Sequence, residues 1–209
     1  MVRVGPVLLL MLLVSIPLSA GAAANLASSG QALLVLAALT EIVQPASPEA
    51  MAAGVGAALQ SASGRAAPEG PVRIERVEPP FRAMGILLTN AIRLLIVPSM
   101  LLLGLLYARA LRDPRGLRVS SRLSLVPLAL NSLLAGALLS ALIPQALPII
   151  GAVPALELMA LSLASYPSAS AALGEPVMAG RALSPVPVAL LLLSASASIE
   201  SWVLGVASA

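Results

Sequence analysis

Apolar residues run along this chain in long unbroken blocks, without the alternation of a half-buried strand or the narrow stripe of a surface helix. The blocks are Val4 to about Ala24, Ala83 to about Leu106, Leu123 to about Ile143, Ile149 to about Ala169 and Val186 to about Ala207. Each has the roughly 20 residues that a helix needs to cross the hydrocarbon core of a bilayer. The expected fold class is therefore all-α, a polytopic transmembrane helical bundle of about five spans with a small external segment between the first two. The chain divides into a first span at 1–24, the external segment at 25–82 and a four-span bundle at 83–209.

The first block has two readings. Arg3, a short apolar run and the small residues Leu18-Ser19-Ala20-Gly21-Ala22 fit a cleavable signal peptide. The same run is long enough to be a retained span, which is the favoured reading. Either way the following segment is sent outside.

Residues 25–82 carry five Glu, four Arg and several turn formers, among them Pro45, Pro48, Gly64, Gly70 and Pro79-Pro80. Gln31 to Val43 is apolar but too short to cross, so it predicts a helix lying on the membrane surface or on the spans. Ala50 to Gln60 predicts a second short helix, and the alternating Val72-Arg-Ile-Glu-Arg-Val77 a single strand. The stretch reads as an external cap or partner surface, with a flexible spacer as the simpler alternative.

Charge then orients the bundle. Arg109, Arg112, Arg115, Arg118 and Arg122 face the single acid Asp113 across one short connection after the second span. Short arginine-rich loops stay on the cytoplasmic side. The N-terminus is therefore expected inside and residues 25–82 outside, in a multi-pass cell-membrane protein. The basic loop would face anionic lipid or a partner, each arginine near such a surface contributing about 1 kcal/mol. Phe81, Tyr107, Tyr166 and Trp202 fall near predicted span ends, where aromatics sit well at the membrane–water interface.

Composition narrows the chemistry. The chain is 59% hydrophobic and 10% charged, with a mean hydropathy of +0.99, which no soluble core of 209 residues could hide. It has neither Cys nor His, which excludes disulfides, thiolate or imidazole metal sites and serine–histidine triads. No metal and no cofactor is expected. The net charge of +3 comes from twelve Arg and no Lys and records topology; with so few aromatics for stacking, nucleic acid is not an expected partner.

Three ionised residues interrupt the apolar blocks: Arg93, Glu157 and Glu200. An isolated charge at the centre of a membrane helix costs about 2.5–3.5 kcal/mol on insertion scales, so the three are expected to find partners inside the protein. Counted from the outer surface, Arg93 lies about ten residues into its span, Glu157 about eight and Glu200 about seven, which puts all three roughly 10–15 Å deep. A shared polar layer follows, with Arg93 bridging one or both carboxylates. Asn90 shares a helix face with Arg93, and Ser196 with Glu200. The face of Glu157 continues through Ala160 and Ala164, so its partner must come from another helix. Asn131 joins the layer as an interhelical hydrogen-bonding group, beside a seam of small residues at Ser132, Gly136 and Ser140; Ala197, Ser201 and Gly205 form a second seam.

The residues that carry these features resemble the stage II sporulation protein M family. The likeness covers about residues 81–205. It rests on Phe81, Asn90-Ala-Ile-Arg93 and Gly104 in the second span, Leu130-Asn131-Ser-Leu-Leu-Ala-Gly136 in the third, Glu157 and Ala160 in the fourth, and Ile199-Glu200 in the last. Val153 and Pro154 stand where the family pattern has His and Gly, which weakens any carry-over of a proton-handling or metal role. The resemblance implies an integral membrane anchor and recruiter without an activity of its own.

The expected function is a membrane scaffold that recruits a protein partner or a second copy of itself. The alternative is a transporter or permease-like subunit using Arg93, Glu157 and Glu200 as an intramembrane substrate or proton site. An intramembrane enzyme with the two Glu as acid and base is disfavoured by the absence of His, Cys and any nucleophile motif.

Overall fold

The computed structural model describes residues 3–27, 79–142 and 148–207, and every regular element among them is helical. In chain order they are α1 (Val4–Ala27), α2 (Pro79–Leu111), α3 (Pro114–Leu123), α4 (Val126–Leu142), α5 (Pro148–Ala172), α6 (Ala179–Leu183) and α7 (Val186–Ala207). The helices expected at 31–43 and 50–60, the strand at 72–77 and the turn around Pro144 lie outside the described residues.

Among the described residues four stretches are long and apolar enough to cross a membrane: Val4–Ala24, Pro80–Leu111, Pro114–Ser140 and Ala179–Val203. The chain is a membrane-embedded all-α bundle. Its outer surface agrees, since Leu103, Leu106, Met11, Ile16 and Leu191 stay exposed, Leu191 to 71%. In water such side chains would be hidden; against lipid tails they are at home.

The remaining long helix, α5, occupies the expected fourth span and is the centre of the bundle, touching α1, α2, α3, α4, α6 and α7. Glu157 and serines at 162, 165, 168 and 170 lie along it. It turns an apolar stripe outward as well, Met159 and Leu163 being exposed one turn apart. Its inner positions are small, and Ala160, Ala164, Ser165, Ser168 and Ala169 are all buried. Two clusters flank it. Leu10, Val97, Leu125, Leu128, Leu161 and Ala169 join α1, α2, α4 and α5, while Leu94, Ala160, Ala164, Ala189 and Leu193 join α2, α5 and α7.

The seam of small residues in α4 serves α1. A Cβ on Gly136 would run into the backbone carbonyl of Leu18, and one on Gly21 into that of Leu133. Two glycines, one from each helix, thus let the backbones touch, which is the close approach that packing against small residues allows. Ser132, one turn before Gly136, is fully buried in the same seam.

Two boundaries depart from expectation. Pro79 and Pro80 open α2 and do not form a turn outside it, because the first residues of a helix lack an intrahelical acceptor and tolerate a missing N–H. The arginine-rich stretch at 107–122 is likewise not a loop. The second span continues to Leu111, the chain reverses at Arg112 with φ 52°, and α3 begins at Pro114. Asp113 caps it, its Oδ1 accepting the Arg115 N–H at 2.9 Å. Ser120 donates to the carbonyl of Met100, and Gly104 leaves room for Ser120, so α3 folds back along the end of α2. The helix is strongly two-faced: Ser121 is buried, whereas Arg115, Arg118 and Arg122 are exposed at helical spacing.

Candidate functional site

α2 turns one face to its neighbours through Arg82, Ile86, Asn90, Arg93, Leu94, Val97 and Leu101, all buried at spacings of three and four. Three of these are polar. Opposite them stand Glu157 of α5 and Ser196, Glu200 and Ser201 of α7. The structure therefore sets polar groups from three separate helices along one buried face of α2.

Asn90 Nδ2 donates to Glu157 Oε1 at 2.6 Å, which joins α2 to α5. Ser196 Oγ donates to the Val153 carbonyl at 3.3 Å, which joins α7 to α5. Arg82 Nη1 donates to the Ser201 carbonyl at 3.2 Å, which joins α2 to α7. Each pair of helices in the trio is thus joined by a polar bond. The partner of Glu157 comes from another helix, as its alanine-lined face requires.

Arg93 behaves differently. It is 9% exposed and feels the charges of both Glu157 and Glu200, yet neither carboxylate comes within ion-pair distance of its guanidinium. Its Nε is buried with no hydrogen-bond partner among the described residues. The direct bridge expected from Arg93 is not formed; the shorter Asn90 amide takes the contact with Glu157. Glu200 stays partly open and interacts electrostatically with Arg93. Two further buried hydroxyls, of Ser165 and Ser168 on α5, also lack partners among the described residues.

Asn131 lies apart from this cluster. Its Nδ2 donates to the Pro127 carbonyl one turn back in α4, at 2.8 Å. α4 packs chiefly against α1 and α5. Placing Asn131 in the polar layer is corrected accordingly. Arg82 is the reverse case, a cluster member that sequence reasoning left in the external segment. It is 3% exposed, and its spacing of eleven from Arg93, three helical turns, was the available signal.

A second polar region lies where α1 begins and α5 ends. Arg3 Nη1 pairs with Glu175 Oε1 at 3.3 Å, and the Arg3 N–H donates to the Tyr166 hydroxyl at 3.0 Å. With Ser170, Arg181 and Ser184 they border a cleft of about 350 Å³. Arg3, Arg181 and the α2–α3 arginines 109, 112, 115, 118 and 122 occupy the same end of the bundle, since α5 brings its last turns beside α3 and α6. Among the described residues no three His, Cys, Asp or Glu side chains group closely enough to hold a metal ion.

No model of a known protein family matches the chain, and neither does any curated protein or solved structure.

Proposed function

We propose that the protein is an integral membrane scaffold: a rigid helical platform that anchors and recruits a protein partner or a second copy of itself at the cell membrane. The observation that carries this reading is the triangle of polar bonds among α2, α5 and α7. Hydrogen bonds between helices fix their rotation and register where lipid supplies no competing apolar force. Four of the residues that carry the likeness to stage II sporulation protein M, Asn90, Arg93, Glu157 and Glu200, belong to this trio of helices. The likeness therefore supports an anchor of that kind. In this reading the N-terminus and the arginine end face the cytoplasm by the positive-inside preference, residues 25–82 face outward, and α1 stays attached. No catalytic step and no cofactor is assigned.

The test is a joint replacement, Arg93→Leu, Glu157→Leu and Glu200→Leu, assayed for thermal stability in detergent and for proton and anion flux in liposomes. Buried ionic groups replaced together by apolar ones of similar size often leave stability intact. A scaffold predicts a folded triple variant and no flux from parent or variant. Flux through the parent that the folded variant loses overturns the reading.

One observation favours the second reading, a transporter or permease-like subunit. Buried donors and hydroxyls without partners are rare and call for water, an ion or a substrate. Among the described residues, Arg93 Nε and the Ser165 and Ser168 hydroxyls are such groups. In this alternative Arg93 holds an anionic substrate, or Glu157 and Glu200 relay a proton, and the flux measurement decides.

A further inference from the structure

Where the start of α1, the junction of α3 with α4 and the end of α5 meet, a groove of about 390 Å³ stays open on the bundle's side. Leu9 and Leu13 of α1, Leu125 and Val126 of the junction and Leu173 after α5 line it, and Arg122 stands at its rim. Val126 and Leu173 are exposed, so the described helices do not cover it. Its volume is that of a small-molecule site.

The charge at the rim selects the occupant. Arg122 follows Arg118 by one turn and Arg115 by two on the exposed face of α3. The acid of this connection, Asp113, is occupied in capping Arg115. The groove begins where α4 begins and runs past Leu9 and Leu13, six and ten residues beyond Arg3 on α1, or about 9–15 Å along the helix axis. A cation at headgroup level above an apolar channel at acyl depth matches a lipid with a negative head and a hydrocarbon tail. A purely apolar helix would leave the arginine facing nothing, and a zwitterionic lipid would answer it less well.

We propose that this groove holds an acyl chain of an anionic phospholipid whose phosphate rests on the Arg122 guanidinium, with Arg118 alongside. The site stands on the groove and the arginines alone and holds whether the bundle is a scaffold or a transporter.

Fluorescence quenching tests it. The single tryptophan, Trp202, is near the far end of α7, so Trp202→Phe with Leu9→Trp places the only indole in the groove. In liposomes, brominated phosphatidylglycerol is compared with brominated phosphatidylcholine. The expected result is several-fold stronger quenching by the anionic lipid, abolished by Arg122→Gln. Equal quenching by the two lipids, or a preference that survives Arg122→Gln, overturns the proposal. So does absence of quenching by either, which would mean that residues 28–78 or a second copy fill the groove. If Leu9→Trp does not fold, native mass spectrometry of the parent and Arg122→Gln decides: retained phosphatidylglycerol that only the parent keeps supports the site, and equal retention or none overturns it.

Discussion

Asn90 of α2 donates a 2.6 Å hydrogen bond to Glu157 of α5 while the neighbouring Arg93 guanidinium stays out of ion-pair contact with any carboxylate among the described residues. The amide and not the cation is thus the first partner of the buried acid. Asn90→Leu should leave Glu157 without its donor and destabilise the bundle by about 1–3 kcal/mol, whereas Glu157→Gln keeps an acceptor oxygen and should cost less. In the double variant Asn90→Leu with Glu157→Leu both polar groups are gone, and the loss should be smaller than the sum of the single changes. Thermal unfolding in detergent measures all of these proteins. Additive losses would show that the bond does not couple α2 to α5.

The packing of α1 makes its own prediction. A side chain at position 136 meets the Leu18 carbonyl, and backbone cannot swing away as a flexible side chain can. Gly136→Leu should therefore prise α1 from α4 at a cost of about 1–3 kcal/mol, the usual penalty of overpacking. Gly180→Leu, where a Cβ meets nothing within 4 Å, is the control and should be near neutral. A mature protein whose N-terminal sequencing begins after residue 24 would have no α1 to displace, and Gly136→Leu would then match the control.

Much of this architecture was legible because lipid imposes a length on each span. The last span, read from Val186 to Ala207 in the apolar run alone, has those bounds as α7. α5 was legible for the same reason, even with Glu157 in it. What the runs did not reveal is where a polar stretch remains helical. The segment around Arg112 looked like a loop because arginine carries charge. Yet arginine is a good helix former, and only the left-handed Arg112 and the Asp113 cap mark where one helix stops and the next begins. Within the site, equal depth predicted an Arg93 bridge to Glu157 or Glu200, and that bridge is not formed among the described residues. Depth could not foretell that Asn90 would take the contact, since that depends on helix rotation and side-chain reach. Depth also misplaced Asn131, because a shared level says nothing about which helices are neighbours.

The cap of α3 should be measurable locally. Asp113→Ala removes the acceptor for the Arg115 N–H and should cost about 1 kcal/mol, the usual value of an N-cap. Because α3 lies at the surface of the bundle, the loss should appear as faster amide exchange at residues 115–118, with α7 unchanged. Hydrogen exchange read by mass spectrometry checks it. Uniformly faster exchange across the protein would mean that α3 and the bundle open as one unit.

Orientation follows from the arginines and can be read with single cysteines, since the chain has none of its own. Arg3, Arg109, Arg112, Arg115, Arg118, Arg122 and Arg181 gather at one end of the bundle against Asp113 and Glu175. On the proposed orientation, which rests on the positive-inside preference, that end would face the cytoplasm. Arg115→Cys should therefore resist a membrane-impermeant maleimide in intact cells and react once the membrane is opened. Ser61→Cys, in the segment between α1 and α2, should react in both conditions. Labelling of Arg115→Cys in intact cells would invert the bundle. It would also place the exposed face of α3, and the groove that Arg122 borders, against the outer leaflet.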